Sequence, residues 1–204
     1  MLIIKHRVNT IAELNATPIH FGVEIDLRPE GHTLILHHEP FAPGENFEEW
    51  LKQYRHAFLI LNVKSEGIER CVIELMEKYH ITDYFLLDVT PPFLTKLAKQ
   101  GIGKLSTRLS PFESVKTCIN YARAFPGMFP WVFIDVMTKT DRKTKLPLNV
   151  KIQQKLKDAG YKICLVSPEL LHREDEISKY KRKMEAKGIV IDAVLTKKPE
   201  LWVS

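Results

Sequence analysis

The sequence predicts an α/β protein on a parallel sheet, closed as a small (β/α)8 TIM barrel. Three observations carry that expectation. Apolar runs alternate with amphipathic stretches from residue 58 onward, and the runs number eight if 33–38 extends or folds back on the run before it. The runs are apolar on both faces, which requires cover on both sides, as helices flanking a parallel sheet provide. The turn after Arg7 lacks the glycine-rich phosphate loop that opens a doubly wound sheet, the structural alternative. At 204 residues the chain sits at the small end of the roughly 200–400 usual for the barrel, so loops are short and the last helix is minimal or missing. One domain, 1–204, is expected.

The elements follow in order. Residues 2–7 read as a short buried strand, and Asn9 or Thr10 caps a brief helix, 11–16, that stops before Pro18. In 21–28, Val23, Ile25 and Leu27 alternate with Glu24, Asp26 and Arg28, the period of a strand. Pro29-Glu30-Gly31 is a turn, 33–38 is extended, and 47–54 is helical. Strands are then expected at 58–64, 84–89, 104–109, 131–137, 161–166 and 189–196. Helices are expected at 67–79, 91–100, 111–124, 150–159 and 174–187. Proline opens the helix at 91, and Gly160 and Gly188 close two others.

Composition narrows the function. With 45% hydrophobic and 27% charged residues the chain is an ordinary soluble globular protein. A net charge of +5 favours anionic ligands but is too dispersed for nucleic acid. Three cysteines, Cys71, Cys118 and Cys164, lie far apart in apolar contexts. They are expected to be reduced core residues of a cytoplasmic protein. No apolar run reaches the ~20 residues of a membrane span, so no stable membrane insertion is expected. The basic stretches 139–145 and 179–187 read as a solvated loop and the wet face of a helix.

In a barrel the chemistry collects at the C-terminal strand ends. Those ends carry His6-Arg7, then Glu24, Asp26 and Arg28, then His37-His38-Glu39. Asn62 and Lys64 follow, then Asp88, Arg108, Asp135, Ser167, Glu169 and Thr196-Lys197. Glu24 and Asp26 should have Cα atoms roughly 6–7 Å apart on one face. Close carboxylates repel, and burying each costs on the order of several kcal/mol unless it is paired. A Mg²⁺ or Ca²⁺ ion resolves that conflict. An exposed edge strand with Arg28 as ion-pair partner would also account for the alternation. Asp88 and Asp135 suit caps of the following segments equally well. Converging on one mouth, acids, cations and two histidines suit metal-assisted phosphoryl chemistry.

As an ordered set, the early motifs resemble the phospholipase C-like phosphodiesterase superfamily, glycerophosphodiester phosphodiesterase branch. They are His6-Arg7 with Asn9-Thr10, Gly22-Val23-Glu24-Ile25-Asp26, His38-Glu39-Pro40 and Asn62-Val63-Lys64. The resemblance implies a barrel, a divalent cation, and two histidines acting as acid and base on a phosphodiester. Carried over, His6 and His38 move protons, Arg7 and Lys64 hold phosphate, and Glu24, Asp26 and Asn62 bind metal. Arg28, Asp88, Arg108 and Asp135 are further candidates. Asn62 stands where the family has an acid, so the metal loses an anionic ligand. Glu39 replaces an aspartate, and His37 leaves the register open by one residue. The implied partner is a small phosphodiester such as a glycerophosphodiester or a related polyol compound. The alternative is a non-catalytic barrel that binds a phosphorylated ligand. A lysine Schiff base at Lys64 would instead indicate an aldolase.

Overall fold

The computed structural model describes residues 1–135 and 146–203. The stretch 139–145 and the end of the expected strand 131–137 lie outside the described residues. The chain divides into two compact units, Ile4–Gln100 and Met1–Ile3 with Gly101–Ser204.

In the Ile4–Gln100 unit the order is β1 (Leu2–Lys5, shared at its start with the other unit), α1 (Ile11–Asn15), β2 (Gly22–Glu30), β3 (Thr33–Leu36), β4 (Glu45–Asn46), α2 (Phe47–Gln53), β5 (Leu59–Val63), α3 (Glu69–Lys78), β6 (Tyr84–Leu87) and α4 (Pro91–Lys99). β2 is the central strand. One edge pairs in parallel with β5, from Val23↔Leu59 to Leu27↔Val63, and β5 pairs in parallel with β6. The other edge pairs first with β1 in parallel at Ile4↔Gly22 and Lys5↔Val23, then with β3 antiparallel from Leu27↔Leu36 to Glu30↔Thr33. The run 33–38 is therefore a hairpin return, one of the two forms expected. Gly22 permits the approach: a Cβ there would meet Ile4 Cγ1 and the Phe58 carbonyl oxygen, both at 3.0 Å.

Because both edges and both faces of β2 are covered, Val23, Glu24, Ile25, Asp26 and Leu27 are all fully buried. The edge-strand reading of the alternation is thereby excluded. α1 is capped by Thr10 in a reciprocal box with Glu13. α2, α3 and α4 turn Trp50, Val72 with Met76, and Leu94 with Leu97 inward. Cys71 is exposed, contrary to expectation, because Val72, Ile73 and Met76 take the inward face of α3.

The other unit holds β7 (Ser106–Leu109), α5 (Val115–Ala124), β8 (Trp131–Ile134), α6 (Val150–Asp158), β9 (Lys162–Val166), α7 (Ile177–Ala186) and β10 (Ala193–Thr196). β7, β8, β9 and β10 pair in sequence, all parallel. α5 starts at Val115 rather than 111, because Ser114 caps it and Ser110 bridges Glu113 ahead of it. Cys118 and Cys164 are buried, as expected. Tyr180 and Met184 anchor α7, while Lys179, Arg182, Lys183 and Lys187 face water. A single 3-10 turn, Pro199–Leu201, follows β10. No helix among the described residues is long and apolar enough to cross a membrane.

Candidate active site

The two partners of the outer edge of β2 leave a window between them. β1 stops pairing at Val23 and β3 begins at Leu27. Glu24 and Asp26 turn their backbone polar groups into that window, where loop residues satisfy them. The Val8 amide donates to Glu24 O at 2.8 Å, the Asp26 amide to Asn9 Oδ1 at 2.9 Å, and the His37 amide to Asp26 O at 3.0 Å. The loop after β1 enters through Arg7, whose φ of 57° is unusual for a residue with a side chain. That turn aims two successive amides at Glu24, one at its carbonyl and one at its carboxylate.

The carboxylates are held from several directions. Glu24 Oε2 accepts from the Arg7 amide at 2.8 Å, and Glu24 Oε1 accepts from Asn62 Nδ2 at 2.9 Å. His6 Nε2 lies 3.8 Å from Glu24 Oε2. Asp26 Oδ2 accepts from Asn9 Nδ2 at 2.9 Å, with Arg7 Nε at 3.7 Å. Asp26 Oδ1 pairs with the Lys64 ammonium at 3.3 Å, and that ammonium is 3.9 Å from Asp88 Oδ2. Asn62 reaches the group because it is the direct cross-strand neighbour of Asp26.

Burial, reinforced by the Asp26 charge, pushes the Glu24 carboxyl up to about 7, against lowering by Asn62 and the Arg7 amide. A buried acid so disfavoured in its charged form marks a functional-site candidate. Two buried acceptors, Asp26 Oδ1 and Asn62 Oδ1, receive no hydrogen bond. Among the described residues no group of three or more His, Cys, Asp or Glu side chains is set to hold a metal. The donor set that fits one is mixed: the two carboxylates and the Asn62 amide oxygen, all hard oxygen ligands suited to Mg²⁺ or Ca²⁺.

Arg28, a further candidate, sits beside this group. Its guanidinium gives three N–H groups to main-chain carbonyls, two to His38 O at 2.7 and 3.0 Å and one to Lys64 O at 3.2 Å. It therefore ties the end of the β3 hairpin to the end of β5. His38 Nδ1 is 2.6 Å from Glu39 Oε1, and that bond holds the Glu39 carboxyl below its ordinary range. His37 Nδ1 instead accepts the Glu39 amide at 3.0 Å. A carboxylate on Nδ1 leaves His38 Nε2 available, the arrangement of an oriented acid–base histidine.

The Ile4–Gln100 unit thus gathers His6, Arg7, Glu24, Asp26, Asn62, Lys64 and Asp88, with Arg28 and His38 joined to them through the main chain. Arg108 and Asp135 belong to the other unit, where they pair at 2.6 Å, the guanidinium also lying over Phe133. In the same unit, buried Glu169 accepts from Ser167 Oγ, Thr196 Oγ1 and the Lys197 amide, and Trp202 Nε1 donates to Ser167 Oγ. These strand-end polar groups of β9 and β10 form a satisfied network. Asn9, read from the sequence only as part of the Asn9-Thr10 motif and as a possible cap, turns out to hold Asp26 through both of its amide atoms. A helix cap was the nearer explanation for it, yet Thr10 does the capping. Its place in the Asn9-Thr10 motif, together with an excess of capping residues before α1, was the signal for a second role.

Parallel ladders with helical connections, and a buried acidic pair ringed by amides and cations, define a mixed α/β protein with an enzyme-like polar centre. No protein-family model matches the sequence, and no curated protein matches it. Among solved structures the chain is similar to a glycerophosphodiester phosphodiesterase from Agrobacterium tumefaciens. The TM-score is 0.61 at 14% identity, covering 98% of this chain and 97% of that one. At that identity the likeness concerns the fold.

Proposed function

We propose that this chain is a phosphodiesterase acting on a small phosphodiester of the glycerophosphodiester or polyol type. On this reading the parallel strands close as one (β/α)8 barrel domain. The observation that carries the proposal is the Glu24–Asp26 pair of β2, fully buried and contacted by His6, Arg7 and Asn9 from the end of β1 and by Asn62 and Lys64 from the end of β5. The resemblance of those motifs and the fold likeness to a phosphodiesterase both support it.

Glu24, Asp26 and Asn62 would hold a Mg²⁺ or Ca²⁺ ion, which when bound neutralises phosphate oxygens. Arg7 and Lys64 bind the remaining anionic oxygens and orient the phosphorus. His6, beside Glu24, takes the proton of the attacking hydroxyl. His38, oriented through Nδ1 by Glu39, delivers a proton to the departing alcohol from Nε2. Asn9 keeps Asp26 fixed, and Arg28 keeps the His38 and Lys64 backbones together. Asn62 also motivates a second reading, a non-catalytic binder of a phosphorylated ligand, because its amide donates to Glu24.

A phosphodiester panel assayed with and without divalent metal tests the proposal. We expect metal-dependent release of an alcohol, reduced by about 10²–10⁴ in His6→Ala and in His38→Ala. Full activity in both variants refutes the histidine roles. Tight binding of phosphorylated compounds without turnover favours the second reading.

A further inference from the structure

The Lys64 ammonium stands at the one Asp26 oxygen that no donor hydrogen-bonds, 3.3 Å from Oδ1. The opposite Asp26 oxygen is already engaged by Asn9. Both Glu24 oxygens are engaged too, by Asn62 and by the Arg7 amide. A cation entering between these acids therefore meets its least encumbered carboxylate oxygen already covered by a like charge. The Lys64 side chain is 18% exposed, and its second acid, Asp88, is 30% exposed at 3.9 Å. A lysine on a four-carbon stem can swing along that line, from the buried acid to the outer one.

We propose that Lys64 is a displaceable internal counter-ion: it neutralises Asp26 in the resting site, competes with a divalent cation there, and swings toward Asp88 when the cation loads. This rests on the reading of Glu24 and Asp26 as cation ligands and adds a regulation to it. Loading frees the ammonium to meet an anionic oxygen, so cation and phosphate binding reinforce each other. By linkage that reinforcement is reciprocal. With an amide at Asn62 in place of a third acid, and with Lys64 in competition, divalent affinity is weak until an anion arrives.

Isothermal titration calorimetry of the full chain with MgCl2 tests this, comparing wild type, Lys64→Met and Lys64→Arg. Lys64→Met should tighten Mg²⁺ about tenfold or more, the size of coupling within one charge network, while Lys64→Arg stays near wild type. Mg²⁺ affinity unchanged or weakened in Lys64→Met overturns the proposal, as does the absence of binding in both proteins. Should Lys64→Met fail to fold, wild type bearing ¹³C-methyl groups on its lysines gives the answer. The Lys64 resonance, assigned through Lys64→Arg, moves on Mg²⁺ saturation if the proposal holds and stays fixed if it fails. A wild type that cleaves diesters while Lys64→Met gains no Mg²⁺ affinity refutes this inference alone. A Lys64→Met gain in a chain that cleaves no diester refutes the functional reading alone.

Discussion

Replacing Glu24 with glutamine keeps the shape of the side chain and removes its charge. The carboxyl is raised from 4.5 to about 7, by burial first and by Asp26 second. A raised carboxyl favours folding while it is protonated. Its contribution is complete below pH 4.5, is lost as pH climbs to about 7, and is constant above that. The displacement corresponds to about 3 kcal/mol in the metal-free protein. Glutamine has nothing to ionise, so its unfolding free energy should lack this loss. The variant can also be accommodated: Gln Oε1 accepts from the Arg7 amide, and Gln Nε2 donates to Asn62 Oδ1 once that amide turns over, filling an acceptor now without a donor. Urea denaturation in chelator at pH 5 and pH 8 measures the effect. Wild type should lose about 2–3 kcal/mol more than Glu24→Gln across that interval, part of the full loss having occurred below pH 5, and the variant should bind Mg²⁺ too weakly to detect. Identical pH dependence in the two proteins would refute the electrostatic account of the buried pair.

Two further outcomes concern the supports of the site. Asn9→Ala removes both hydrogen bonds to Asp26 and strands the Asp26 amide, so thermal or urea unfolding should show a loss of about 1–3 kcal/mol, with turnover falling more than substrate binding. Arg28→Met releases the His38 and Lys64 carbonyls. Diester turnover should fall about 10–100-fold, and Arg28→Lys should not restore it, since a lysine lacks the planar fork that spans two carbonyls.

The strand–helix alternation was readable because β8 is apolar throughout, β5 and β9 are apolar but for Asn62 and Lys162, and helices separate them. The acidic pair was readable from the period of two in β2. What could not be read were the distant partners. Asn9 and Asp26 are seventeen residues apart, and no periodicity links a loop amide to a strand carboxylate. Arg28 shares the parity of Glu24 and Asp26, and its reach lets it hold the His38 and Lys64 carbonyls, a contact no periodicity announces. Arg108 and Asp135, candidates by position, pair with each other because their opposite charges stand at the ends of adjacent strands. Element ends shifted where a polar side chain chose the boundary, as Ser114 does for α5.

The window on the outer edge of β2 has a mechanical corollary. Segments outside regular secondary structure, at residues 7–9 and 37, are stitched to a central strand by the Glu24 carbonyl and the Asp26 amide and carbonyl, groups that would otherwise bind a neighbouring strand. The Val8 and His37 amide protons should exchange as slowly as those of the sheet, while the turn at Gly31 exchanges fast. The reactive groups thus inherit the stiffness of the scaffold, and the hairpin tip can vary in length without disturbing their spacing.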